Sequence, residues 1–150
     1  MDTVAGGNNY DTLDGGDGND KVWGGNGRDK VYLGNGNDVF YDNTQNDQHG
    51  HDTVFGGSGN DTINGGGGNN ILTGGTGVDS FKFNASQSHG TNVITDFVRG
   101  TDILEMSGLT FSDLNFQATG SGVRIEWTDG SVKMDNVNII DIDQSDFLFV

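Results

Sequence analysis

The sequence predicts an all-β fold: a parallel β-solenoid built from short repeats, with a β-rich cap at its C-terminal end. Three observations predict it. A nine-residue phrase of glycine and aspartate recurs through residues 6–82. One position of that phrase is apolar in every copy. The composition suits turns and short strands rather than helices: of 150 residues 27 are glycine, none is proline or cysteine, and 31% are hydrophobic. The acidic residues are all aspartate except Glu105 and Glu126, and aspartate disfavours helix while suiting turns.

Set in register, the repeats are GGNNYDTLD (6–14), GGDGNDKVW (15–23), GGNGRDKVY (24–32), LGNGNDVFY (33–41), DQHGHDTVF (47–55), GGSGNDTIN (56–64), GGGGNNILT (65–73) and GGTGVDSFK (74–82). Four of the eight carry glycine at positions one, two and four and aspartate at position six. "DTVA" at 2–5 reads as the end of one more repeat, so the chain is expected to start inside a repeat, with Met1 not the native start and the parent protein extending upstream. Three residues such as "DKV" or "DTI" predict a short strand. Side chains alternate across a strand, so position eight forms a core column: Leu13, Val22, Val31, Phe40, Val54, Ile63, Leu72 and Phe81.

The residues between strands must turn sharply, and glycine permits positive φ and close backbone approach. Turned backbone exposes carbonyl oxygens, and each turn adds one carboxylate at position six. Ca²⁺ prefers a loose shell of roughly six to eight such oxygens. One turn is too small to supply it, but two stacked turns can, which makes the cation mortar between coils.

At this point the sequence resembles the RTX family, whose GGxGxDxUx repeat is known as a Ca²⁺-binding parallel β-helix. The resemblance implies a β-roll in which two nonapeptides make one coil and Ca²⁺ lies between turns on each side. Position by position it implies side-chain ligands at Asp11, Asp20, Asp29, Asp38, Asp52, Asp61 and Asp79. Backbone carbonyls of the turn glycines would complete the shells: Gly16, Gly18, Gly25, Gly27, Gly34, Gly36, Gly57, Gly59, Gly66, Gly68, Gly75 and Gly77. The stacked-turn argument implies roughly four to six ions. This copy departs from the pattern at Asn9, Leu33 and Asn70, the last a neutral and weaker ligand. Between Asp38 and Asp52 the spacing is 14 rather than nine, so an insert at 42–46 should bulge outward and put the neighbouring calcium sites in doubt.

Other readings are weaker. A disordered Gly/Asn/Asp-rich linker has no need of the position-eight column. "DGNDKVWGGN" lacks the EF-hand ligands at the fifth and twelfth loop positions. His49 and His51, beside Asp47 and Asp52, are a conceivable Zn²⁺ pair without a third ligand, and His89 is isolated. No H-E-x-x-H occurs. Trp23, Tyr32, Tyr41 and Phe55 at position nine should face outward, with Trp23 and Tyr41 on one face and Tyr32 and Phe55 on the other. They are a packing face or, alternatively, a surface for sugar rings.

In the tail, residues 83–150, glycine thins out. "DSFKFNASQSHGTNVITDFVRGTDILEMSGL" resembles the segment that follows the last repeat in many RTX proteins. Ser80–Phe83, 93–97 and 103–106 read as strands, and 111–114 as a turn. "VRIEWTDGSVKMD" reads as a hairpin with "DG" at 129–130 in the turn. The tail is expected to cap the roll, which divides the chain into a roll at 1–82 and a cap at 83–150. The ending Asp146, Phe147, Leu148, Phe149 and Val150 resembles a type I secretion signal and equally reads as a final strand.

Net charge is −15 with a pI near 4.1. That argues against nucleic acid and anionic membranes as partners and for bound cations. No apolar run approaches the roughly 20 residues of a membrane span. No nucleophile–base pair, zinc motif or phosphate loop supports catalysis. The expectation is a non-catalytic Ca²⁺ module of a secreted, extracellular protein. It would fold outside the cell after passage through a type I secretion apparatus and stabilise an upstream catalytic domain. The alternative is a module that binds an acidic polysaccharide such as alginate, with Lys21, Arg28, Lys30 and Lys82 as its few cations.

Overall fold

The computed structural model describes residues 1–42, 50–86 and 90–150. The strands are β1 (Thr3–Asn8), β2 (Thr12–Asp14), β3 (Lys21–Asn26), β4 (Lys30–Asn35), β5 (Val39–Tyr41), β6 (Thr53–Ser58), β7 (Thr62–Asn64), β8 (Ile71–Thr76), β9 (Ser80–Asn84), β10 (Gly90–Ile94), β11 (Ile103–Ser107), β12 (Asn115–Ala118), β13 (Gly122–Trp127), β14 (Gly130–Asp135) and β15 (Phe147–Phe149). Short 3₁₀ turns cover Phe111–Asp113, Ile139–Asp141 and Gln144–Asp146, and the described residues contain no α-helix.

The strands sort into two sheets. One runs β1-β3-β5-β7-β9-β11-β15 and the other β12-β13-β14-β10-β8-β6-β4-β2. Successive nonapeptides therefore alternate between sheets, and two of them make one coil of a β-roll. The register gives the coil length: Thr3 pairs with Lys21 and Thr12 with Lys30, a step of 18 residues. Lys30 pairs with Thr53 and Val39 with Thr62, a step of 23, so the five-residue insert leaves the ladder in phase. The bulge expected of the insert falls on residues 43–49, outside the described ones.

Alternation across each strand puts position eight inside. Val22, Val31, Phe40, Val54, Ile63, Leu72 and Phe81 are wholly buried, and Leu13 nearly so. Leu33, where a position-one glycine is expected, also points inward and is wholly buried. The column continues in the tail through Ile94, Leu104, Met134 and Phe147, which stack on it by register. Apolar burial of this kind is worth about 25 cal/mol per Å² removed from water.

Four expectations are corrected. Strands do not begin at the aspartate but one residue later, because the aspartate belongs to the turn. Five of them run six residues, four through the glycine pair and β4 through Leu33 and Gly34, since Gly7 pairs with Gly25 and Gly34 with Gly57 in the inter-coil ladder. The strand expected at 93–97 is Gly90–Ile94; Asp96 is held instead by the Gly74 and Gly75 N–H groups, which opens a turn. The hairpin turn centres on Thr128 and Asp129, because Gly130 already pairs with Trp127. Strand β12, antiparallel to β13, is additional. Both parallel ladders cross residue 82 without a break: β9 pairs β11, and β8 pairs β10.

Candidate metal centre

Each turn is shaped by its glycines. All twelve glycines singled out at positions two and four have positive φ, from +64° at Gly66 to +137° at Gly27. Close approach adds a second demand. A Cβ on Gly34 would overlap the Gly16 carbonyl oxygen, and one on Gly36 would overlap that of Gly18. The carbonyls of positions two and four therefore point along the stack at the next coil. Asn9 meets the backbone demand at φ +89°, as asparagine tolerates the left-handed region.

The position-six aspartates climb both sides of the roll as ladders. On one side the Asp2 N–H donates to Asp20 Oδ1, Asp20 N–H to Asp38 Oδ1 (2.7 Å), Asp38 N–H to Asp61 Oδ1 (2.8 Å), and Asp61 N–H to Asp79 Oδ1 (2.9 Å). On the other, Asp11 N–H donates to Asp29 Oδ1 (2.9 Å), Asp29 N–H to Asp52 Oδ1 (2.7 Å), and Asp52 N–H to Asn70 Oδ1 (2.8 Å). One oxygen of each carboxylate except that of Asp11 thus ties a turn to its neighbour.

The other oxygen has no partner. Oδ2 of Asp11, Asp20, Asp29, Asp38, Asp52, Asp61 and Asp79 is buried and accepts no hydrogen bond. These are the seven aspartates that the repeat singles out. Six of them, all but Asp11, are at most 2% exposed. Among the described residues no Lys or Arg side chain pairs with any of the seven; the chain's amino terminus lies 3.4 Å from Asp20 Oδ1, and His51 is near enough to Asp52 to favour its charged form. Burial pushes the Asp61 carboxyl up to about 7 and Asp52 up to about 6, although the N–H groups of Asp38 and Asp29 pull the other way. Burial raises Asp29, Asp38 and Asp79 as well.

The sign of the resulting pH dependence is set by these rises. A carboxyl that binds its proton more tightly when folded stabilises the metal-free roll below the unfolded value of 3.8, and that stability is lost as pH rises through about 6 and 7. The metal-free chain is accordingly expected to hold more β structure by circular dichroism at pH 4 than at pH 8. An increase from pH 4 to pH 8 would contradict the burial argument.

Asn70 shows what the orphaned oxygens face. It stands at position six, 1% exposed, and its Nδ2 donates to the carbonyls of Gly65 (2.8 Å) and Gly67 (3.2 Å). The carbonyls of positions one and three therefore converge on the second atom of the position-six side chain. With asparagine that atom is a donor and the turn is closed. With aspartate it is an anionic acceptor facing two more acceptors, an arrangement that a proton satisfies at low pH and a metal cation at neutral pH. The donors are oxygen throughout, as Ca²⁺ prefers, so the residues present fit that ion. Among the described residues no three acidic or histidine side chains converge on one point; carbonyls must supply most of the shell.

The comparisons with known proteins bear on the repeat and on the fold. The family described as the RTX calcium-binding nonapeptide repeat matches in four copies, over residues 1–31 and 50–81. These nonapeptides are RTX calcium-binding repeats. Among solved structures, this chain is similar to the AlgE6R3 subunit of the Azotobacter vinelandii mannuronan C5-epimerase at 21% identity and a TM-score of 0.57, covering 95% of this chain and 80% of that one. That likeness bears on the fold, a β-roll. The extracellular lipase LipA of Serratia marcescens aligns over 100% of this chain and 40% of its own at 16% identity, with a TM-score of 0.49. No curated protein matches the sequence.

The remaining predicted residues fall as follows. Trp23 stacks on Tyr41 (centroids 6.4 Å apart, 30°) and Tyr32 on Phe55 (5.2 Å, 13°), one pair on each sheet, facing outward. Lys30 Nζ sits 5.0 Å from the Tyr32 ring centroid and 5.9 Å from that of Phe55. His51 Nδ1 accepts the Asn69 N–H at 3.2 Å, while Asp47, His49 and His89 lie outside the described residues. Residues Phe147–Phe149 form β15, parallel to β11, and buried Asp146 receives Arg99 Nε at 3.0 Å.

Two sets of residues in the roll escaped the sequence reading. Position-five asparagines form a second ladder: Asn19 Oδ1 accepts the Asn37 N–H (2.9 Å), Asn37 that of Asn60 (2.8 Å), and Asn60 that of Val78 (2.9 Å). Asparagine at that position in four of eight repeats was the available sign. Asp102 continues the aspartate ladder by accepting the Asp79 N–H at 3.0 Å. It lies 23 residues after Asp79, the spacing of Asp38 to Asp61.

Proposed function

We propose that this RTX calcium-binding module is a folding switch driven by Ca²⁺. The observation that carries the reading is the row of seven buried carboxylate oxygens that no donor reaches and no Lys or Arg side chain neutralises. Leaving one buried charge uncompensated costs about 3–5 kcal/mol, so a roll without cations is poorly stable. The ligands are the position-six aspartates Asp11, Asp20, Asp29, Asp38, Asp52, Asp61 and Asp79. Carbonyls of positions one and three of one turn, and of positions two and four of the neighbouring coil, complete the shells, for roughly four to six ions in all. When bound, Ca²⁺ supplies positive charge between stacked turns; everything else in the fold comes from the chain.

Extracellular calcium modules have affinities of about 10⁻⁴–10⁻³ M, above cytoplasmic free Ca²⁺. The chain then stays unfolded inside the cell and threads a type I secretion apparatus. Outside, binding to the folded state alone makes binding free energy folding free energy. Residues 1–82 carry the switch. Residues 83–150 cap it, with Asp146–Val150 read as the export signal before β15 forms. An upstream catalytic domain is the part stabilised, and the module itself is non-catalytic.

The test is far-UV circular dichroism in EDTA, then in about 5–10 mM CaCl₂, above the affinity range, with MgCl₂ as control. A coil-to-β change with CaCl₂ alone is expected. A β spectrum unchanged by EDTA would remove calcium from the folding argument. The second reading, a polysaccharide module, is favoured by the outward Tyr32–Phe55 stack with Lys30 over it and by the fold shared with an epimerase subunit. Retention on an alginate gel that Tyr32→Ala abolishes would support it; passage unretarded in CaCl₂ would not.

A further inference from the structure

The chain sets seven Lys and Arg against 22 Asp and Glu. Most of its side-chain ion pairs lie open to water: Lys82 holds Glu105, Arg124 approaches Glu126 and Lys133 holds Asp135, with carboxylates 17%, 35% and 27% exposed. Arg99 is different. Its Nε donates to Asp146 Oδ2 at 3.0 Å, and Asp146 is 1% exposed. A second guanidinium nitrogen reaches Asp143 Oδ2 at 3.4 Å. The Asp143 N–H also donates to Asp146 Oδ2, at 3.0 Å, while Asp146 Oδ1 is buried without a hydrogen bond. Among the described residues Arg99 is the only Lys or Arg that pairs with Asp146.

The two partners belong to different parts of the fold. Asp146 immediately precedes β15, which lies against β11 with Leu104 beside Phe147 and Met106 beside Phe149. This last strand is three residues long and forms the edge of its sheet. Of the four residues after Asp146 only Phe147 is buried; Leu148 and Val150 are 49% and 61% exposed. Arg99 stands in the turn between β10 and β11, and the roll beneath assembles that turn. Asp96 accepts the Gly74 and Gly75 N–H groups at 2.9 and 2.8 Å, and Asp102 accepts those of Asp79 at 3.0 Å and Val98 at 2.8 Å. Gly74, Gly75 and Asp79 belong to the last nonapeptide. Their N–H groups are in place only when that coil is wound, so Arg99 is in place only then.

We propose that Arg99 is a latch that withdraws the end of the chain when the last coil closes. Without Arg99 the Asp146 carboxylate would be buried and unpaired, which is strongly unfavourable. It regains water by the least costly motion, the peeling of a short edge strand. The wound coil therefore hides Asp146–Val150 and the unwound chain offers them. In a chain exported unfolded by that same ending, folding and recognition of the ending exclude each other. This consequence rests on the export reading; the latch itself does not.

The latch is tested by carboxypeptidase Y digestion of the whole chain in saturating CaCl₂. Trimming past Phe147 is read from the intact mass, and the fold from circular dichroism. The wild type is expected to resist. Arg99→Ala should be trimmed past Phe147 about tenfold faster or more with an unchanged spectrum, a modest figure because Arg99 is 32% exposed and partly screened. Arg124→Ala, which loses an exposed pair, should keep the wild-type rate. Arg99→Ala combined with Asp146→Asn removes the buried charge along with its partner and should regain most of the protection, a rescue that lost packing alone would not give. If Arg99→Ala does not fold, Arg99→Lys takes its place and should be trimmed at an intermediate rate. Trimming of Arg99→Ala no faster than wild type overturns the latch, and so does a folded wild type trimmed past Phe147 at once. A wild type equally β-rich and equally protected in EDTA removes calcium from winding the coil, and Arg99→Ala in that medium then decides the latch. Export plays no part in the digest, so the latch and the export reading fall separately.

Discussion

Asp61→Asn is expected to stabilise the metal-free chain and destabilise the calcium-loaded one. In the metal-free roll Asp61 is 1% exposed, its Oδ2 has no partner, and burial lifts its carboxyl to about 7. Near neutral pH the group is either an unpaired buried charge or a proton binder working against its solvent. Asparagine removes the charge and supplies a donor where Oδ2 stood. Asn70 shows that an amide at position six closes its own turn through the Gly65 and Gly67 carbonyls. Removing an unsatisfied buried group should raise stability in EDTA by about 1–3 kcal/mol. In saturating Ca²⁺ the variant forfeits a ligand. A site held at a hundredfold excess over its dissociation constant contributes about 2.7 kcal/mol, so the loss is of that order. Urea melts of wild type and variant at pH 7.5, in EDTA and in CaCl₂, should cross over. A variant less stable in both media would sink the argument, since it would mean that Oδ2 has a partner in the chain. Asn70→Asp should show the reverse pattern.

The repeat made much of this legible. Position eight predicts a core column and the column is buried; position six predicts seven carboxylates, and Oδ2 of each is buried without a hydrogen bond. Periodicity succeeds here because each coil repeats the previous coil's environment, so one residue's role is read from its neighbours'. What escaped was whatever broke the period. Asp102 escaped because its turn does not match the glycine phrase, although its carboxylate takes the same N–H bond. Asp42 read as the first residue of an insert, although it stands over Gly24 and accepts the Gly25 N–H at 3.1 Å. Asn70 read as a weak ligand; only its two carbonyl partners reveal a donor that replaces a cation. The strand at 93–97 moved to Gly90–Ile94 because Asp96, by sequence a polar residue in a strand, is claimed by the coil below.

Gly34→Ala should disrupt the roll where Gly100→Ala only strains a turn. Gly34 lies in a repeat turn and Gly100 in the turn between β10 and β11, with φ of +110° and +74°. An alanine at either is held in the left-handed region, which costs about 1–2 kcal/mol. The difference lies in what is underneath. A Cβ on Gly100 meets nothing within 4 Å, whereas one on Gly34 falls on the Gly16 carbonyl oxygen. To admit it, the two coils must separate, and the ladder bonds on both sides, including the Asn35 N–H to the Gly16 carbonyl at 2.8 Å, stretch with them. Overpacking of a rigid interior costs about 1–3 kcal/mol more. Thermal melts in CaCl₂ should therefore rank wild type, Gly100→Ala and Gly34→Ala in falling order. Calcium titrations should show Gly34→Ala needing more Ca²⁺ to fold, because ions held between coils depend on the spacing that a single methyl group would widen. Equal melting temperatures for the two variants would mean that position-two glycine is there for its φ alone and that the coils are not in backbone contact.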